Sequence, residues 1–259
     1  MAKRAASHIP PGVPAKMKPT PWGTGTAMFR VHETNYSVDQ FNPSKGGNAR
    51  FSPIYDPNGN VIPTMYAATT ARGALMETDF RDVPYRAGFK NVGRRRLTGR
   101  VCSTLIFQTD FQLLDLSKVA LRGFGIQPHH LIDTTKARYS LTRKWAVQAY
   151  AANPKLQGFL WSSRQDDRAL DVVLFGDRVQ ASDLLAGNSS RPRITNGEPE
   201  DFVIEVATAL QSFAHMRAAQ SVSPANNSAA DSSDDDREHR LEEGTLDGAL
   251  FPMPIDGWD

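Results

Sequence analysis

Glu77 stands near the end of a helix-forming stretch, about three helical turns beyond Tyr66, the last aromatic of a short apolar strand. Ala71, Ala74 and Leu75 share the i, i+3, i+4 spacing of a buried stripe, and Glu77 falls just off it, beside Met76. A carboxylate in that place is either a solvated residue at the margin of a packed face or an acid turned toward a site. Glutamate is rarely buried without a partner. Two arginines are candidate anion binders, because a guanidinium matches phosphate oxygens in a bidentate fork. Arg30 alternates against Phe29 and Val31, so on a strand it projects from the opposite face; an exposed strand arginine is the ordinary alternative. Arg50 closes the turn-rich loop Asn42–Phe51. The third group is Ser162-Ser163-Arg164, at the end of an apolar run. A hydroxyl pair there serves either turn chemistry or a site at a strand end.

The elements that must position these residues follow from periodicity and punctuation. Ala27–His32, Pro63–Ala67, Leu97–Gln108, Phe111–Leu116, Gly158–Trp161 and Ala169–Phe175 read as strands. Thr70–Asp79 reads as a helix. So does Ser140–Ala152, with Leu141, Trp145, Ala146 and Ala149 on one face and Asn153-Pro154 as its stop. Asp56–Gly59 is a turn with an Asn-Gly hairpin signal. Ser182–Ala186 reads as a short helix, Asn188–Gly197 as a polar loop and Phe202–Ala219 as a closing helix. Strands and helices follow one another without a regular βαβ repeat, so the expected class is α+β. Met1–Gly25 is rich in proline, with scattered basic residues, and from about Gln220 the chain is rich in Ser, Asn, Asp and Glu. The expected organisation is a disordered arm over 1–25, one folded domain over 26–219 and a disordered acidic tail over 220–259.

Composition narrows the function classes. The 259 residues are 40% hydrophobic and 22% charged, with a formal net charge of +2. That charge is too mild to argue for nucleic acid, and the Arg94-Arg95-Arg96 run is expected to be a solvated loop. Cys102 is the single cysteine, which excludes an intrachain disulfide and a cysteine-based zinc cage. His129 and His130 are adjacent and lack an acidic partner at a fixed offset, so no metal is expected. Apolar runs such as Thr104–Phe107 and Val172–Phe175 are far too short to cross a bilayer. Met1–Pro10 is not followed by the apolar region of a secretory signal, so a cytoplasmic protein is expected; one exported without a signal would read the same. The Gly46-Gly47 loop has neither the Walker spacing nor the G-x-G-x-x-G order.

Taken in order, the motifs are F-R-V at Phe29–Val31, G-G-x-x-R-F at Gly46–Phe51, Y-A at Tyr66–Ala67, A-L-x-E at Ala74–Glu77, S-S-R at Ser162–Arg164 and V-V-L-F at Val172–Phe175. This set resembles the RES domain, named for its Arg, Glu and Ser, over about Ala27–Gly176. The resemblance implies a fold similar to that of ADP-ribosyltransferases, with mixed sheets and flanking helices. It also implies an enzyme that takes NAD+ as substrate and needs no further cofactor. Several such proteins are toxins paired with an antitoxin that carries a helix-turn-helix region.

By position, the resemblance makes Glu77, Arg30 and Ser163 the catalytic candidates. Arg30, Arg50, Tyr66 and Ser163 are the candidates for NAD+ contact. Ser162 is the neighbouring alternative to Ser163, and Ser140 an outside third. Under this reading Glu77 stabilises the oxocarbenium-like centre formed when nicotinamide leaves, as a carboxylate does in glycoside hydrolysis. The arginines hold the pyrophosphate, Tyr66 packs on the nicotinamide ring, and Ser163 fixes a ribose or amide hydrogen bond. The acceptor is phosphate, water or, in a mono-ADP-ribosyltransferase, a protein. The alternative from another class is a non-catalytic basic module that uses Arg94–Arg96 and the N-terminal arm on nucleic acid.

Overall fold

The computed structural model describes residues 16–43, 45–81, 90–91, 97–192, 194–195, 198–199, 203 and 212–213. Eight strands build one sheet: β1 Thr20–Trp22, β2 Ala27–Glu33, β3 Thr64–Ala68, β4 Arg100–Phe107, β5 Phe111–Asp115, β6 Gly158–Ser162, β7 Leu170–Phe175 and β8 Leu184–Pro192. Their order across the sheet is β1-β5-β6-β7-β3-β2-β4-β8. Every neighbouring pair is antiparallel except β5 and β6. The helices are α1 Ala71–Thr78, α2 Lys118–Gly123, α3 Pro128–Leu131 and α4 Tyr139–Ala152. Among the described residues none is long and apolar enough to cross a membrane. The architecture is α+β.

Strand β7 shows why the sheet lies at the centre. Its residues Val172, Val173, Leu174 and Phe175 are all buried, as a strand covered on both faces requires. Side chains alternate along a strand. Accordingly, Val173 and Phe175 join Phe159, Trp161 and the α4 residues Trp145, Ala146 and Ala149 in one apolar cluster. Val172 and Leu174 join Met28, Met65, Leu105, Phe107 and Phe111 in the other. Helix α1 starts at Thr70, whose hydroxyl accepts the Gly73 N–H at 2.9 Å. Gly73 lets α1 lie close against the chain entering β7, since a Cβ there would stand 2.6 Å from the Ala169 Cβ. The turn expected at Asp56–Gly59 joins the short strands Ile54–Tyr55 and Val61–Ile62, with Gly59 at φ +81°.

The structure corrects several expectations. The proposed arm over 1–25 is partly folded: Met17 is 2% exposed within the α4-side cluster, and Thr20–Trp22 pairs with β5. Its prolines concealed this, because an edge strand tolerates a proline that a central strand would not. The expected helix at Ser182–Ala186 is a single 3-10 turn, Ala181–Asp183, which runs directly into β8. The polar composition that suggested a loop over Asn188–Gly197 belongs, as far as Pro192, to a strand at the edge of the sheet, with a register shift between Ala186 and Ser190. Leu141 is 36% exposed, and Thr142 faces inward instead. Helices α2 and α3 escaped the periodicity because they are too short to show one. Ser117 caps α2, accepting the Ala120 N–H, and Pro128 opens α3. Of the closing helix expected at Phe202–Ala219, Val203 is helical and Ser212–Phe213 is extended, pairing with Lys90–Asn91; the rest lies outside the described residues. So do Arg94–Arg96 and the 220–259 tail.

Met17→Ala is expected to destabilise the fold by about 2–5 kcal/mol, the cost of emptying a buried methionine site. Urea denaturation checks this; an unchanged midpoint would return Met17 to the tail.

Candidate active site

All the chosen sequence candidates but Ser163 meet where α1 and strands β2, β3, β6 and β7 border one cavity of about 250 Å³. Arg30, Arg50, Tyr66 and Glu77 all line it, together with Tyr139, Trp161 and Asp171. Each is placed by a different element, and each placement has a local cause.

Glu77 lies one residue past the buried run Gly73–Met76 of α1, half-buried and facing the cavity. Its Oε1 accepts from the Ser163 hydroxyl at 2.9 Å and from the Arg164 backbone N–H at 3.2 Å. Ser163 is 5% exposed and lies behind Glu77. Its Oγ also accepts from the N–H groups of Gln165 and Asp166, each at 3.3 Å. The hydroxyl is therefore oriented by its own turn. Asp166 in turn pairs with Arg72 of α1 at 3.4 Å, which ties the turn to the helix that carries Glu77. Between the two adjacent serines, Ser163 is the one that reaches Glu77. Ser140 is exposed on α4.

Arg50 is 5% exposed, and its Nε and Nη1 have no hydrogen-bond partner among the described residues. Its guanidinium carbon lies 5.8 Å from the centre of the Tyr139 ring and 5.9 Å from that of Trp161, within cation–π range. Helix α4 holds its backbone. The Thr142 hydroxyl donates to the Arg50 carbonyl, and Arg143 Nη1 donates to Asn48 Oδ1 at 2.7 Å and to the Ala49 carbonyl at 3.2 Å. A buried guanidinium with unpaired donors in the wall of a cavity is chemically suited to an anion or a carbonyl oxygen.

Arg30 is also buried, but its Nη1 donates to the Val38 carbonyl at 2.7 Å. Burial lowers its pKa to about 10, opposed by the charge of Asp39. Part of its role is thus to hold the chain after β2. Tyr66 is anchored by its hydroxyl, which accepts from the Phe51 N–H at 3.0 Å and the Ser52 Oγ at 3.3 Å. Its ring meets Trp161 edge-on, with centroids 6.4 Å apart. Burial pushes the phenol pKa up, and the two hydrogen bonds oppose this.

Sequence reasoning missed Asp171, Tyr139 and Trp161. Asp171 had a signal: it is the single acid within the apolar run of β7. The two aromatics had none, because a ring beside a ligand and a ring in a core have the same spacing. His129 and His130 meet edge-on with ring centroids 4.1 Å apart, and neither lines the cavity. Among the described residues no group of three or more His, Cys, Asp or Glu could hold a metal ion.

Residues 27–192, which include every candidate named above, match the model of the RES domain family. The chain belongs to that family. Among solved structures, this RES domain is similar to a chain of the M. tuberculosis MbcT-MbcA toxin-antitoxin complex. The identity is 14%, covering 69% of this chain and 87% of that one, with a TM-score of 0.47. No curated protein matches the sequence.

Tyr66→Phe is expected to cost the RES domain about 1–3 kcal/mol of stability, because it leaves the Phe51 N–H without its acceptor. Denaturant titration measures it, and a loss below a few tenths of a kcal/mol would show that this anchor is unimportant.

Proposed function

We propose that this RES domain chain is an NAD+-consuming enzyme that cleaves the nicotinamide–ribose bond and acts as the toxin of a toxin–antitoxin pair. One observation carries the enzymatic part: a held carboxylate, a buried guanidinium with free donors and aromatic walls converge on one cavity. Those are the groups the reaction calls for. When the glycosidic bond breaks, its electron pair leaves with nicotinamide, which departs neutral, and positive charge develops at the ribose anomeric carbon. No strong general acid is needed. Glu77, held by Ser163 and Arg164, would stabilise that charge. Arg50 and Arg30, which line the same cavity, supply donors for the pyrophosphate. Trp161 and Tyr139 add apolar wall area, and Tyr66 presents a ring whose position its hydroxyl fixes. In this reading NAD+ is the substrate and no further cofactor takes part.

The biological half of the proposal rests on membership of the RES family. The partner would be an antitoxin with a helix-turn-helix region, and the site of action the cytoplasm, where the substrate is held. Phosphate and water are both suitable acceptors, and a protein side chain would make the chain a mono-ADP-ribosyltransferase.

Purified protein incubated with NAD+, with and without inorganic phosphate, tests this by chromatography of nicotinamide and the ribosyl product. Nicotinamide release is expected, and no turnover under either condition would overturn the proposal. Glu77→Gln is expected to fold normally and lose about two to three orders of magnitude in turnover, the size typical of one electrostatic stabiliser. Near-wild-type turnover in that variant would remove Glu77 from the mechanism.

Arg50→Lys is expected to weaken NAD+ binding by about 1–3 kcal/mol, since lysine keeps the charge and loses the planar fork. Calorimetric titration measures it. Arg30→Lys is expected to lose stability as well as affinity, because its bond to the Val38 carbonyl is structural.

A further inference from the structure

The cavity contains a second carboxyl group. Asp171 is 3% exposed, lines the cavity, and has no hydrogen bond of ordinary geometry to either oxygen. It lies on β7, on the same face as Val173, opposite Ala68 on β3 and Trp161 on β6. Glu77 from α1, Arg50 from the loop before the Ile54–Ile62 hairpin and Ser163 from the turn after β6 lie close enough to govern its titration. The other charged or titratable residues lining the cavity are Arg30 on β2, Tyr66 on β3, Arg81 after α1 and Tyr139 on α4. A carboxyl group withdrawn from water near a second, half-buried carboxylate does not ionise without a large penalty. Burial raises Asp171 well above the usual carboxylate range; the charge of Glu77 raises it further, and Arg50 opposes both.

We propose that Asp171 is a positioning residue for Glu77: the two carboxyl groups share one proton, which Asp171 holds and donates toward the Glu77 carboxylate. The inference rests on the reading of Glu77 as the residue that faces the substrate. Glu77 already takes two donors on Oε1, from Ser163 and Arg164. The Asp171 O–H adds a third from the sheet side, so the carboxylate is held from both the turn and the strand. Such support keeps a group at its productive angle. Once the Asp171 proton is lost, two carboxylates face each other and Glu77 is pushed off that angle. Activity should therefore fall on the alkaline side with the titration of Asp171.

Stability follows the same proton. A carboxyl whose pKa is higher folded than unfolded binds its proton more tightly in the folded state. Its contribution is fully present below the ordinary aspartate range and is lost as pH rises through the raised folded value. The test compares stability against pH for the full-length wild type, Asp171→Asn and Glu77→Gln. The wild-type folding constant is expected to fall by up to about tenfold per pH unit above the ordinary aspartate range. Asp171→Asn should lack this slope, and in Glu77→Gln the slope should end at lower pH because one cause of the shift is gone. Parallel wild-type and Asp171→Asn curves would overturn the pairing. Should Asp171→Asn fail to fold, carbon-13 NMR of the aspartate carboxyls in the wild type decides: titration of Asp171 in the ordinary range overturns the proposal, and titration well above it supports it. In the nicotinamide-release assay, the wild-type alkaline limb should be missing from Asp171→Asn, and an identical limb would count against the proposal. If the wild type releases no nicotinamide, the proposed function fails, and the stability curves alone decide whether the carboxyl groups share a proton.

Discussion

The site depends on keeping charge out of water where the sheet meets α1 and α4. Arg50 and Asp171 are each at least nine-tenths buried, and polar atoms of both have no hydrogen-bond partner. Removing an ionised group such as the Arg50 guanidinium from water without full compensation costs several kcal/mol, whereas burial pushes the Asp171 carboxyl toward its neutral form. The Tyr139 and Trp161 rings return roughly 0.5–2 kcal/mol each by cation–π attraction, and the opposite charges nearby return more.

Holding such a constellation requires rigid supports, and each of its members hangs from a different one. Arg50 is fixed through its backbone by Thr142 and Arg143 of α4. Helix α4 is fixed by Trp145, Ala146 and Ala149 against Phe159, Val173 and Phe175. Glu77 is fixed by α1, which approaches the entry to β7 only because Gly73 has no side chain. Ser163 is fixed by its turn, which is pinned to α1 through Asp166 and Arg72. Strand β7 is common to all of these: it carries Asp171, packs under α4 and pairs with both β3 and β6. A change that loosens the apolar core on its α4 side therefore also displaces the polar groups at its end.

Much of this was legible from residues and spacing. The strand ending near Tyr66 and the helix carrying Glu77 were expected within a residue or two of where they lie, because a short apolar run and a regular stripe are local signals. The motif order also pointed to the RES family before any geometry was known. The two missed strands share one physical reason. Thr20–Trp22 and Leu184–Pro192 are edge strands whose order comes from hydrogen bonds to β5 and β4, and such bonds leave no periodic trace in the strand that receives them.

By itself the sequence determined the class of fold, the family and a set of candidate residues scattered from position 30 to position 163. It did so through local propensity and motif order, which need no knowledge of what lies across the chain. Tertiary structure alone decided which candidates share a cavity, that Ser163 rather than Ser162 reaches Glu77, and that Arg30 spends one nitrogen on a backbone carbonyl. It also decided that a second carboxyl group stands beside the first. Asp171 and Glu77 come to one cavity because β7 and α1 pack against each other, and the protonation of Asp171 depends on the distance and dielectric between them. Those two quantities are set by packing between distant segments, and no local sequence pattern encodes them.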